Sequence, residues 1–202
     1  MKVSVISSVY NGETYFDRAV PSILNQTYKE FEWIIINDGS TDGTQVLLER
    51  LSSEDNRGKV FNFGRLGRAR ALNRAVEIAC GEYIIQQDFD DISYPRRIET
   101  QVAFLDANPN VGAVGSYYIL VDLNRSERYV RQPPTDHEGI VRSMSRYIPF
   151  AHTVVAFRKK AWEQVGGYPE VEDIEDLRLW IQFARAGWKL ANIPEVLGEH
   201  FV

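Results

Sequence analysis

The sequence predicts an α/β fold: one domain with a mixed, mainly parallel sheet flanked by helices. Three observations predict it. Short continuous apolar runs, such as Trp33-Ile34-Ile35-Ile36 and Tyr83-Ile84-Ile85, read as strands buried on both faces. Segments with apolar residues at helical spacing lie between them. Strand and helix alternate through the first half, the pattern of units that build a parallel sheet. The 202 residues are 44% hydrophobic, enough for one sizeable core and near the upper limit for a single domain.

The run 3–9, Val-Ser-Val-Ile-Ser-Ser-Val, opens the chain as a strand, and a helix is expected over 14–24. A strand over 31–37 leads to a helix over 41–51, and 59–63 is a short strand. The stretch 68–79 places Ala71, Leu72, Ala75 and Ile78 on one side of a helix that Gly81 stops. A strand over 83–87 follows. The second half is less regular, with a helix over 95–107, a long strand over 111–121 and a polar, arginine-rich loop over 124–134. A helix over 136–145, a strand over 151–157 and a helix over 159–165 come next. The turn Gly166-Gly167-Tyr168-Pro169 and a helix over 175–186 complete the expected order.

Composition excludes several classes. A net charge of −5 argues against broad nucleic-acid binding. No window of about 18 apolar residues spans a bilayer. Cys80 is the single cysteine, which rules out an internal disulfide and a cysteine zinc cluster. Lys2 passes straight into the first strand without the regions of a secretory signal. A cytoplasmic protein is expected, and peripheral contact with the inner face of the cell membrane is compatible with that.

The most informative stretch is Gln86-Gln87-Asp88-Phe89-Asp90-Asp91, three carboxylates directly after an apolar strand. Alternation along an extended end points Asp88 and Asp90 to one side and Asp91 to the other. Like charges so close repel unless a cation sits between them, and hard oxygen ligands suit Mg²⁺ or Mn²⁺. The bland account is that these acids cap the helix that Pro95 opens. A second acidic strand end, Asn37-Asp38-Gly39, weighs against it, because ligands of open parallel sheets sit beyond the carboxyl ends of the strands. Gly64 and Gly67, with Arg65 and Arg68, form a flexible turn at a helix start, a place for a diphosphate. Arg70 and Arg74, one turn apart, read as a solvated helix face.

With Ser7-Ser8-Val9-Tyr10-Asn11-Gly12-Glu13, Asn37-Asp38-Gly39-Ser40-Thr41-Asp42-Gly43-Thr44, Asp88-Phe89-Asp90-Asp91 and Glu175-Asp176-Leu177-Arg178-Leu179-Trp180 in this order, the chain resembles a family 2 glycosyltransferase from residue 3 to about 197. The resemblance implies the GT-A fold and a nucleotide-diphospho-sugar donor, with UDP expected. It also implies a divalent cation, Mn²⁺ or Mg²⁺, inversion at the anomeric carbon and a glycan or lipid-linked acceptor, as in bacterial polysaccharide synthesis. Residues 1–95 become the nucleotide half and 96–202 the acceptor half of one catalytic domain, whose end at Val202 fits a part of a longer protein. By the same resemblance Val9, Tyr10, Asn11 and Glu13 wall the base, Asp38 bonds the base or ribose, Asp88 approaches the ribose, and Asp90 holds the metal. Arg68 faces the diphosphate, His200 sits where related transferases place a histidine that reaches the metal, and Asp176 is the candidate base.

Glu172-Asp173 competes with Glu175-Asp176, and spacing to Trp180 favours the latter. His152 is divided between an acceptor role and a core histidine, His137 reads as surface, and Trp180, Phe183 and Trp188 read as core. Rival functions are an Mg²⁺-dependent phosphatase of haloacid dehalogenase type, suggested by Asp88-Phe89-Asp90 but failed by Ile92, and a non-catalytic sugar-nucleotide-binding module. A dehydrogenase lacks its G-x-G-x-x-G after the first strand.

Overall fold

The computed structural model describes residues 1–171 and 174–202, so the competing pair Glu172-Asp173 lies outside the described residues. Among those residues nine strands form one sheet. Strands β1 (Val3–Val9), β2 (Phe31–Asn37), β3 (Gly58–Asn62) and β4 (Tyr83–Gln86) run parallel in the order β3-β2-β1-β4. Helices α1 (Phe16–Leu24), α2 (Thr44–Glu54) and α3 (Arg68–Ile78) make the crossovers. The apolar runs are continuous because both faces are covered. Val3, Val5, Trp33 and Ile35 join one core cluster, while Ile6, Ile34 and Ile36 join the other with Ala71, Leu72, Ala75 and Val76 of α3.

One acid is buried inside this half. Glu32 in β2 accepts hydrogen bonds from Ser4 Oγ at 2.6 Å, Cys80 N at 2.7 Å and Lys59 Nζ at 2.7 Å. Beside it a Cβ on Gly81 would stand 2.5 Å from the Ser4 nitrogen, so only glycine lets α3 return into β4 there.

Strand β5 (Ile92–Ser93) and helix α4 (Arg97–Ala107) follow β4, and then the long strand β6 (Val111–Asp122). The segment read as a polar loop contains strand β7 (Glu127–Arg131), antiparallel to the end of β6. It was hidden because all five residues are exposed and carry no buried face. The run 151–157 is not one strand: a 3₁₀ turn at His152–Val154 precedes β8 (Ala156–Arg158), which joins β4 to β6 in antiparallel fashion. Helices α5 (His137–Ser143), α6 (Lys159–Val165) and α7 (Glu175–Arg185) pack the second half. A final strand, β9 (Lys189–Phe201), runs parallel to β6 and antiparallel to β5, so it carries its last residues to the turn after β4. Trp180 and Phe183 are fully buried, as their spacing predicted. No helix of the described residues is long and apolar enough to cross a membrane.

Candidate active site

The carboxyl ends of β1, β2 and β4 lie side by side, with Val9 opposite Asn37 and Ile6 opposite Gln86, so the loops after them converge. The acidic stretch is not an extended continuation of β4. Sheet pairing with β1 ends at Gln86, and a turn closes with Asp91 N donating to Asp88 O at 3.2 Å. The alternation expected of Asp88, Asp90 and Asp91 therefore gives way to three directions. Asp88 faces a cleft of about 730 Å³ shared with Arg68, His152, Glu175, Asp176 and His200. Asp90 lines a neighbouring hollow of about 220 Å³ with Val9, Tyr10, Asp38, Arg65 and Arg68. Asp91 is fully buried and accepts from Phe201 N at 2.8 Å and contacts His200 Nδ1 at 3.0 Å.

Beneath the turn lies Arg97, fully buried and, among the described residues, bonded only to neutral acceptors: Gln87 Oε1, Ser93 Oγ, Gln101 Oε1 and the carbonyls of Gln86 and Val155. Gln87 in turn donates to the Asp88 and Asp91 carbonyls at 2.8 and 3.1 Å. Burial lowers the Arg97 guanidinium to about 9, which leaves it charged at neutral pH.

Arg68, at the start of α3, is the hub of the larger cleft. Its Nη2 donates to Asp88 Oδ1 at 2.7 Å and lies 2.8 Å from His152 Nδ1, and its Nε is 2.9 Å from Glu175 Oε1. A guanidinium has donors only, so His152 Nδ1 accepts and the ring proton sits on Nε2, 3.1 Å from the Tyr168 hydroxyl. Burial alone would raise the Asp88 carboxyl, but Arg68, His152 and His200 together outweigh it and hold Asp88 well below the usual carboxylate range. Glu175 is spent on Arg68. Asp176 beside it accepts only from its own neighbour Leu177 N among the described residues, at 2.6 Å, and lines the cleft.

The second acidic strand end behaves differently from the first. Asp38 is 2% exposed, and its carboxylate accepts from Arg65 Nη1, Leu66 N and Gly67 N at 2.6–3.2 Å. It ties down the loop that leads into α3. Gly39 makes this possible with φ +78°, where an added Cβ would meet the Arg65 nitrogen at 3.0 Å. Arg65 also lies 3.7 Å above the Tyr10 ring. Asn11 and Glu13 bind the facing loop instead of the hollow: Asn11 Oδ1 accepts from Thr41 N at 2.8 Å and Glu13 Oε2 from Gly43 N at 2.9 Å. Sequence reasoning missed the Arg68–Glu175 pair, the Arg65–Tyr10 stack and the part of Tyr118, whose ring stands edge-on to His200 at 6.3 Å.

A divalent cation fits the residues present. Among the described residues no three metal-binding side chains form a cage, but Mg²⁺-type ions are commonly held by one or two carboxylates plus substrate phosphates. Only the backbone carbonyl of Asp90 is engaged, accepting from Arg18 Nη2 at 2.6 Å; its carboxylate has no partner among the described residues. Burial and then the nearby Asp88 raise the Asp90 pKa, a repulsion that a cation relieves. Burial pushes Asp91 up to about 6, and its contact with His200 Nδ1 is the carboxylate–histidine arrangement that orients metal-binding imidazoles.

The model of Glycosyl transferase family 2 matches residues 4–166. The chain belongs to glycosyl transferase family 2. It is 34% identical over 201 residues to EpsE of Bacillus subtilis, a protein assigned as a glycosyltransferase, covering 97% of this chain and 71% of EpsE. Among solved structures it is similar to the mannosyltransferase PcManGT of Pyrobaculum calidifontis in complex with GDP-Man and Mn²⁺, at TM-score 0.76 and 23% identity over 98% of this chain and 56% of that one. It is also similar to S. aureus TarS 1-349 in complex with UDP-GlcNAc, at TM-score 0.81 and 20% identity over 100% of this chain and 59% of that one. The fold is that of GT-A glycosyltransferases, and the chain spans a little over half the length of those two structures. Family membership displaces the phosphatase reading of Asp88-Phe89-Asp90.

Proposed function

We propose that the chain transfers a sugar from a nucleotide-diphospho-sugar, a UDP-sugar, to a hydroxyl of a glycan or lipid-linked acceptor with inversion, at the cytoplasmic side of a bacterial envelope. The observation that carries this reading is the division of labour between adjacent carboxylates: Arg68 pairs with Glu175, while Asp176 faces the cleft with no ion pair among the described residues. A sugar hydroxyl is a poor nucleophile until a carboxylate takes its proton. Asp176 takes it, in the cleft that Asp88 also lines and beside the hollow that holds Asp90. A non-catalytic binding module has no use for such a base.

On the donor side Val9 and Tyr10 wall the hollow for the nucleotide, and Arg68 meets the diphosphate at the start of α3. Asp88 lies toward the ribose, and Asp38 reaches the base or ribose by exchanging one of its bonds to the Leu66–Gly67 backbone. Asn11 and Glu13 shape the hollow from behind. Asp90 and His200 would hold Mn²⁺ or Mg²⁺, which when bound supplies positive charge against the growing negative charge of the leaving diphosphate. The likeness to structures holding GDP-Man with Mn²⁺ and UDP-GlcNAc supports a nucleotide-sugar donor.

Asp176→Asn tests the reading. It keeps the size of the side chain and removes the base. UDP affinity by calorimetry stays within twofold, and transfer falls by about 10²–10⁴-fold, the usual contribution of general base catalysis. Near-normal transfer by this variant would refute the assignment.

A further inference from the structure

The sheet carries the cleft outward past every residue assigned so far. Tyr118 of β6 stands edge-on to His200 of β9, and Leu120 is paired with His200 across the two strands. On the other flank of β6, Tyr129 of β7 is opposite Leu120, and Arg131 is opposite Tyr118. Residues opposite each other in a sheet project to one face. His200, Tyr118, Tyr129 and Arg131 therefore make a row across three strands, reaching about 10 Å from His200 at the usual strand spacing.

The row begins inside the cleft and ends in the open. Tyr118 and Ile148 line the cleft, whereas Tyr129 is 42% exposed and every residue of β7 is exposed. Nothing among the described residues covers this face. A solvated edge strand that merely discourages aggregation carries charges, and Arg128 serves that end on the opposite face, where it pairs with Glu199 at 2.6 Å. The cleft face of β7 carries Glu127, Tyr129 and Arg131: the Glu127 carboxylate accepts from the Tyr129 hydroxyl, and Arg131 has no partner among the described residues. A polyanion calls for several free cations, and this face offers one. Neutral sugar rings match it better: their C–H faces pack on tyrosine, and their hydroxyls accept from a guanidinium.

Resting on the proposed transfer to a hydroxyl acceptor, we propose that Tyr118, Tyr129 and Arg131 form an extended acceptor subsite that holds the inner sugar rings of a glycan while its terminal hydroxyl meets Asp176. The acceptor is then an oligosaccharide or longer chain, and its reducing end leaves the protein over β7.

The test measures Mn²⁺-supported transfer from UDP-sugars onto para-nitrophenyl glycosides of one, two and three residues in the glucose, galactose, mannose and N-acetylglucosamine series. We expect kcat/KM to rise with length in at least one series, and Tyr129→Ala/Arg131→Ala to lose about tenfold of the trisaccharide-to-monosaccharide ratio through KM, the effect of about 1.4 kcal/mol of lost stacking and hydrogen bonding. Failure of the unsubstituted protein to bind UDP or to hydrolyse any UDP-sugar would sink the transferase reading itself. Normal UDP binding and hydrolysis with no gain from acceptor length, or a length ratio untouched in the double variant, would overturn the subsite alone. A variant that keeps its length ratio but no longer sediments with phosphatidylglycerol vesicles would assign the row to a membrane surface and likewise overturn it.

Discussion

Arg68→Met keeps much of the side chain's length and apolar contact and removes its charge, leaving Asp88 and Glu175 on the cleft wall with no cation between them. Asp88 would retain the bond from Gln86 Nε2 at 3.0 Å, and Glu175 would retain none among the described residues. Removing one partner of a buried pair typically costs about 3–5 kcal/mol. Both carboxylates are about nine-tenths buried, but the Arg68 side chain is half exposed, so water screens part of the orphaned charge and about 2–3 kcal/mol is the expected loss. For a chain of this size that corresponds to a fall in Tm of about 4–12 °C. Urea unfolding at neutral pH reads the loss, and Arg68→Met/Glu175→Gln, with one stranded charge removed, should regain about half of it. An Arg68→Met midpoint equal to that of the parent, or a double variant no more stable than the single one, would refute the view that this guanidinium joins the two halves.

Two other outcomes follow from groups described above. Asp90→Ala should abolish the Mn²⁺-dependent part of UDP binding, read by calorimetry with and without the ion; equal affinities in both conditions for the parent protein would show that the acidic turn holds no metal. At Glu32, burial raises the carboxyl, but Lys59, Ser4 and the Cys80 amide together outweigh it and lower its pKa below the ordinary 4.5. A lowered folded pKa contributes stability that is complete above 4.5 and disappears as pH falls through the folded value. The stability gap between the parent and Glu32→Gln should thus shrink from neutral pH to about pH 3, and a gap that stays constant would show that ionisation of Glu32 is irrelevant.

The nucleotide half was legible because burial on both faces of a parallel sheet writes itself as unbroken apolar runs, and α3 shows its buried stripe directly. In the acceptor half β6 and the helices α4 to α7 were legible to within two residues, but β7, β9 and the 3₁₀ turn before β8 were not. β9 is broken in sequence by Pro194-Glu195 and Gly198, and it holds as a strand through its neighbours β6 and β5. β7 lacks any buried face to leave a pattern. In the site, the carboxylates Asp88 and Asp90 could be singled out by their position after a strand, and Asp176 by the family resemblance, but their partners could not. Arg68 meets Glu175 only through the fold, and the turn at Asp88–Asp91 replaces the alternation that an extended chain would impose. Asp38 looked like a ligand for substrate, and the protein's own Leu66 and Gly67 amides already bind it.

Arg97 has a consequence for when the acidic turn acquires its shape. Five neutral acceptors converge on a cation that keeps its proton at neutral pH, and through Gln87 they fix the carbonyls of Asp88 and Asp91. The ordering entropy of this loop is therefore spent while the chain folds, not when a donor arrives, and charge that develops during reaction meets dipoles that need no rearrangement. The same economy makes the position unforgiving: a lysine would bring the charge but not a planar fork able to reach so many acceptors at once.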